Sequence, residues 1–217
     1  MEKSQEFKEK SKAAFDLQAK FYDSTYYGQH AQKLYSRVID TMNENEFKNV
    51  LDIGCGTGNI LFELLKKKNV TAAGIDLSEN MLAIAKNRLG DKADLRKGDS
   101  ENLPWESNAF DMIICTDSFH HYPNPKGVLT EMHRVLSPEG KIVIADPWLP
   151  TPLRQISNLF IPFSKDGDIK MYSHKDMIKL TEEYKLSLIS WELVGTNAFI
   201  AVLLKQWRHP DVEHVQV

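Results

Sequence analysis

From Val50 onward the apolar pattern of the chain changes period again and again, and this alternation limits the folds open to it. VLDIG is a short apolar run stopped by glycine, NILFELLKKK has helical spacing, and VTAAGID is apolar and partly β-branched. ENMLAIAKNRL is helical again, ADLRKGD is a short polar strand, FDMIICTD a buried strand, GVLTEMHRVL a helix and KIVIADP a further strand. Strands that alternate with helices of this length build βαβ units, so the middle of the chain predicts a doubly wound α/β core with helices on both faces of a mostly parallel sheet.

The ends read differently. FKEKSKAAFDLQAKFYD and GQHAQKLYSRVIDTMNE predict two helices separated by the small polar stretch from Asp23 to Gly28, a helical cap ahead of the first strand. Between Pro147 and Tyr172 a proline-rich run carries Trp148, Leu149, Leu153, Ile156, Leu159, Phe160, Ile161 and Phe163, which could form a substrate lid, a dimer face or plain core. A lid is the preferred reading, because loops over a rigid sheet edge are where substrate choice resides. Ser173 with Asp176 forms a capping box that starts a helix running to about Tyr184. LSLISWELV and AFIAVLLKQW, joined at Gly195, Thr196 and Asn197, predict an antiparallel hairpin, and the final RHPDVEHVQV is polar and expected to be loosely held. The expected division is a cap over residues 1–49, a cofactor-binding core over 50–147, an insertion and helix over 148–184 and the hairpin over 185–206, all within one domain.

Composition enters by exclusion. With 217 residues a core can close without a disulfide or a metal, and two cysteines outside any CxxC pair build neither a disulfide framework nor a zinc ribbon. No run of 18 apolar residues predicts a membrane span, and the charged amino-terminal stretch is not a signal peptide, so a cytoplasmic protein is expected. A net charge of -3, with Lys and Arg scattered, gives no footprint for gripping a phosphate backbone.

The string VLDIGCGTG runs a strand into Gly54, Gly56 and Gly58 and then a helix, which brings bare backbone against a ligand. Asp76 closes the next strand 22 residues after Gly54, the place where adenosine-binding α/β folds accept hydrogen bonds from ribose hydroxyls. A dinucleotide site would want a third glycine where this chain has Asn59, and Asp52 would repel a pyrophosphate. Both features favour a cationic ligand without phosphate, such as S-adenosylmethionine.

In combination, VLDIGCGTG, GIDLSENML, GDSENLPWESNAFDMIICTDSFHHY and VLSPEGKIVIADP resemble the successive motifs of class I S-adenosylmethionine-dependent methyltransferases, in particular the small-molecule branch with the ubiquinone and menaquinone biosynthesis enzymes. The resemblance runs from about Phe15 to the hairpin near Lys205. It implies a seven-stranded Rossmann-like sheet whose last strand is reversed. It also implies roles. Gly54, Gly56 and the backbone at Cys55 would contact the methionine part of the cofactor, with Asp52 organising that end directly or through water. Asp76 would take the ribose, Leu77 and Met81 would flank the adenine, Asp99 would accept from its amino group and the Ser100 backbone would address the ring. Thr116 and Asp117 would line the wall beside the ammonium, and Tyr22 would close over the cofactor. S-adenosylhomocysteine would be the product.

His120 and His121, with Asp117, stand just past the fourth strand, at the sheet edge where α/β ligands bind, and are the catalytic candidates, as a base or to orient the acceptor. Read as a metal cluster, Asp117, His120 and His121 fail two expectations: adjacent histidines on a short loop should point apart, and no third strong ligand is in register, so no metal is expected. The predicted function is methyl transfer to a small molecule with apolar or aromatic surface. The rivals are a nucleic-acid methyltransferase, a nicotinamide-dependent oxidoreductase and a protein that binds the cofactor without turnover.

Overall fold

The computed structural model describes residues 2–206. The final polar stretch from Arg208 lies outside them. Seven strands form one sheet: β1 (Asn49–Ile53), β2 (Thr71–Asp76), β3 (Ala93–Lys97), β4 (Phe110–Thr116), β5 (Leu136–Pro147), β6 (Leu186–Val194) and β7 (Ala198–Lys205). Their order is β3-β2-β1-β4-β5-β7-β6, with β1 to β5 parallel and β7 inserted antiparallel between β5 and β6. The doubly wound sheet with an antiparallel carboxyl-terminal hairpin and a reversed last strand is thus present as expected. Because the chain leaves β1 toward β2 on one side and later enters β4 on the other, the carboxyl ends of β1 and β4 part to leave a crevice, where such sheets bind ligands.

Among the described residues seven α-helices accompany the strands: α1 (Glu2–Gln18), α2 (Tyr26–Asn43), α3 (Asn59–Lys67), α4 (Glu79–Leu89), α5 (Pro125–Val135), α6 (Leu153–Phe160) and α7 (His174–Glu182). Side-chain alternation divides the core in two. Val50, Met112, Ile114, Val143 and Ile200 face α2 and α3, packing on Val38, Met42, Leu61 and Leu64. Leu51, Ile53, Ile113, Ile142, Ile144 and Phe199 face α5 and α7, packing on Leu129, Met132 and Met177.

The helix starts follow the local chemistry. The Ser78 hydroxyl accepts from Met81 N at 3.1 Å to start α4. Asn124 caps α5 ahead of Pro125, and Ser173 and Asp176 complete the expected capping box of α7. One boundary is corrected. The stretch from Asp23 to Gly28 is no open linker, because Ala19–Ser24 forms a 3-10 turn and α2 already begins at Tyr26. The reason is Thr25, whose hydroxyl accepts from Gly28 N at 3.1 Å and so caps the helix early.

The apolar run after β5 divides as well. No residue of α6 is buried, and Leu159 and Phe160 are 70% and 69% exposed, so the core reading fails for this helix. Trp148, Leu149 and Ile161, on either side of it, turn inward to a cavity.

Candidate active site

The glycine loop between β1 and α3 is held from below, where Gly54 N and Cys55 N both donate to Ile75 O of β2, at 2.9 and 3.0 Å. Gly54 has φ +75°, and a Cβ there would fall 2.0 Å from Ser118 Oγ, so only glycine fits against the loop after β4. Gly56, at φ +50°, has open space where a Cβ would stand and presents bare backbone to the crevice. Its N–H donates to Asp76 Oδ2 at 2.8 Å, while Asp76 Oδ1 accepts from Ser78 N at 2.8 Å. Asp76 therefore clasps the loop as well as facing the crevice, and burial raises its pKa above the usual carboxylate range.

The first cavity lies along this crevice under α1. It is lined by Gly54, Cys55, Gly56, Asp76, Leu77, Met81, Asp99, Ser100, Thr116, Asp117 and Tyr22, so the structure brings these expected cofactor residues together. Asp52 is the exception. It lies under the loop, fully buried, and its pKa is pushed up to about 8 by burial and by the neighbouring charge of Asp76. Asp99 is already engaged: Oδ1 accepts from Glu101 N at 3.0 Å and Oδ2 from Lys8 Nζ at 2.6 Å. Lys8 Nζ also lies 2.5 Å from Glu101 Oε1, so α1 is pinned across this end of the cavity. Cys55 is buried, its thiol pKa raised well above the ordinary value by desolvation, which makes it a filler rather than a nucleophile.

A second cavity of about 290 Å³ adjoins the first. Its walls carry Tyr26, Tyr27, Trp148 and Leu149, and its polar floor carries His30, His120, Asp166, Asp168 and Lys170. Phe15, Tyr22, Asp117 and His121 line both cavities, so the two meet at these residues. Phe15 packs edge-on against Tyr22 and His121, with ring centroids 5.8 and 5.1 Å apart.

The three catalytic candidates meet here in distinct settings. His30 Nδ1 lies 2.6 Å from Asp117 Oδ2, and this hydrogen bond raises the His30 pKa against the opposing effect of burial. Asp117 Oδ1 is buried without a partner, as is Thr116 Oγ1. His120 Nδ1 lies 3.1 Å from Asp146 Oδ1. Burial opposes charge on His120, but Asp146 and then Asp168 outweigh it and raise its pKa to about 9. His121 goes the other way, its pKa lowered well below the usual value by burial and by the charge of His120.

The expectation that the adjacent histidines diverge is corrected. Their ring centroids are 4.1 Å apart with planes inclined by 38°, and Asp168 contacts both. The third ligand type is absent locally because it arrives from far along the chain: Ile169 N donates to His120 O at 2.8 Å and docks residues 168–170 against the 3-10 turn Phe119–His121. Asp117 is not part of that group.

Residues missed from sequence include His30, Asp168, Lys8 and Asp23. The last accepts from Thr57 Oγ1 at 2.7 Å, Asn59 Nδ2 at 2.8 Å and Arg88 Nη2 at 2.6 Å, and so fastens the cap to the glycine loop. Asn59, noted in sequence only as not being glycine, is thus a latch.

Residues 44–191 match the family model described as "Methyltransferase domain". A demethylmenaquinone methyltransferase from Staphylococcus epidermidis is 35% identical over 156 residues, covering 68% of this chain and 62% of that protein. Methyltransferase GfsG from Streptomyces halstedii is 30% identical over 147 residues, covering 60% and 53%. The chain therefore spans less than two thirds of the length of these curated relatives. Among solved structures, a methyltransferase from Haloferax volcanii in complex with the Trm112 activator superposes with a TM-score of 0.78 at 17% identity, covering 89% of this chain and 98% of that one. At that identity the likeness is one of fold. No helix among the described residues is long and apolar enough to cross a membrane.

Proposed function

The chain belongs to the methyltransferase-domain family, and on that premise we propose that it transfers a methyl group from S-adenosylmethionine to a small molecule held in the aromatic-walled cavity. The observation that carries this reading is the shared lining of Phe15, Tyr22, Asp117 and His121, because a group passed from one cavity to the other has to pass these residues.

The first cavity suits this cofactor. Thr116 Oγ1 and Asp117 Oδ1 are buried acceptors lacking donors, which matches the ammonium of a methionine moiety. The two lysines that line the cavity, Lys8 and Lys12, are both paired with carboxylates, so neither is free for a phosphate. When bound, S-adenosylmethionine supplies an activated methyl on a sulfonium. Gly56 offers its open backbone to the methionine end, and Asp76 keeps acceptor lone pairs for the ribose beyond those used by Gly56 and Ser78. Leu77 and Met81 flank the base, with the Ser100 backbone and Asp99 at its edge.

On the acceptor side, the rings of Tyr26, Tyr27 and Trp148 favour an apolar or aromatic molecule, and His120 and His121 orient its reacting atom toward the shared lining. Phe15 and Tyr22 exclude water there. Alignment of this kind can supply on the order of 7–11 kcal/mol of barrier lowering. In this reading residues 50–147 hold the cofactor while residues 148–184 cover the acceptor as a lid.

Calorimetry with S-adenosylmethionine and S-adenosylhomocysteine tests the first half, and absence of binding to either would overturn the proposal. Mass-spectrometric detection of methyl transfer to a panel of aromatic hydroxy and amino compounds tests the second.

A further inference from the structure

Beyond the cofactor site, the second cavity is lined by two histidines and an aspartate gathered at one point. We propose that His120, His121 and Asp168 bind a divalent transition-metal ion of the zinc class. Asp168 Oδ1 lies 3.1 Å from His121 Nδ1 and 3.6 Å from His120 Nε2, and one ligand atom from each residue falls within 4.8 Å of the others. Donors bound tetrahedrally at about 2.0–2.2 Å stand about 3.3–3.5 Å apart, so the two separations from Asp168 bracket what such an ion needs.

Two further observations point to a ligand. The His121 side chain is only 10% exposed, and its Nδ1 has no hydrogen-bond partner, since the 3.1 Å approach to Asp168 lacks hydrogen-bond alignment. A buried ring nitrogen without a hydrogen-bond partner is a costly arrangement, and a cation held between it and the carboxylate relieves it. His120, in turn, engages Asp146 through Nδ1 at 3.1 Å and turns Nε2 toward Asp168. A carboxylate on the far nitrogen is what orients metal-binding histidines and fixes their tautomer. Asp146 is itself buried and accepts from Ser118 N at 3.1 Å, so that orientation is rigid.

The donor set of two imidazoles and one carboxylate selects zinc-like ions over magnesium or calcium. Three protein ligands leave a fourth position, and all three residues line the cavity, so that position opens into it. On the reading given above for the cavity, the fourth ligand is an oxygen or nitrogen of the acceptor.

The test uses the full chain after chelator treatment, titrated with Co²⁺ and followed by visible absorption. The expected result is one ion per chain, tetrahedral d–d bands and displacement by Zn²⁺. Asp168→Asn, on a partly exposed segment, should weaken Zn²⁺ binding by at least about tenfold, and Asp146→Asn, which touches no metal, by about 10–100-fold. Calorimetry with S-adenosylhomocysteine on the same samples should be unaffected by Asp168→Asn and separates the two proposals. Cofactor binding without Co²⁺ uptake sinks the metal site alone, and Co²⁺ uptake without cofactor binding sinks the methyl-transfer reading alone. No tetrahedral Co²⁺ spectrum, or Zn²⁺ affinity equal in Asp168→Asn and parent, would reduce the group to a hydrogen-bonded network.

Discussion

Arg88 Nη2 of α4 donates to the carboxylate of Asp23 at 2.6 Å, and its Nη1 donates to Thr57 O at the same distance, so one side chain joins the cap, the glycine loop and the second crossover helix. Tyr22, which lines the first cavity, directly precedes Asp23 in the chain.

Replacing Asp23 with alanine removes the shared acceptor of Thr57, Asn59 and Arg88. Hydrogen bonds to a charged group contribute about 1.5–3 kcal/mol, so affinity for S-adenosylhomocysteine should fall by about 1–3 kcal/mol as the cap loosens. Calorimetry reads this directly. Unchanged affinity would mean that the cap docks without Asp23.

Asp76→Ala should weaken cofactor binding by about 1–3 kcal/mol and also lower the melting temperature, because the same carboxylate clasps Gly56 and Ser78. A loss of affinity with full stability would separate a ribose role from the clasp. A loss of stability alone would refute the ribose assignment.

Asp52 gives a pH dependence with a definite sign. Its folded pKa, about 8, lies above the unfolded value of 3.8, so the folded protein holds a proton that the unfolded chain releases. Stability tied to this group is full below about pH 4 and falls as pH rises to about 8. Asp52→Asn should therefore melt higher than the parent, by a margin that grows between pH 5 and 8 and then levels off. Thermal denaturation at several pH values checks this, and a margin that shrinks across that range would contradict it.

Of the two cavities described, His120 lines only the one proposed to hold the acceptor, whereas His121 lines both. His120→Ala should cut methyl transfer at least tenfold while leaving S-adenosylhomocysteine affinity within about twofold. Transfer rates set beside calorimetry test the split, and parental activity would return His120 to packing.

On α6, changing Leu159 and Phe160 together to serine should leave stability within about 0.5 kcal/mol, since neither is buried. If the segment is a lid, the acceptor KM rises while the mass by light scattering stays that of the parent. A change in mass would make this a face between copies.

Much of the core could be read in advance because its signals are local. Val50 to Ile53 alternate between two buried faces, Gly54 and Gly56 announce a backbone approach, and Ser173 with Asp176 writes its own cap. The residues that escaped reading share a different property. His30 is 87 positions from Asp117, and Lys8 is 91 from Asp99. Asp168 reaches the histidines only because Ile169 docks on His120 O, and the 3-10 turn from Phe119 to His121 has no periodic signature that would tell which way two neighbouring rings face. Asn59 was visible as a departure from a glycine pattern, but its meaning depended on Asp23, which no spacing rule connects to it.

The ion pairs of Lys8 with Asp99 and Glu101 carry a consequence for tempo. On the proposed reading, α1 stands over the doorway of the adenine end, and every exchange of spent cofactor for fresh must part Lys8 from both carboxylates and rejoin them. Dwell time, more than equilibrium affinity, is then set by one lysine.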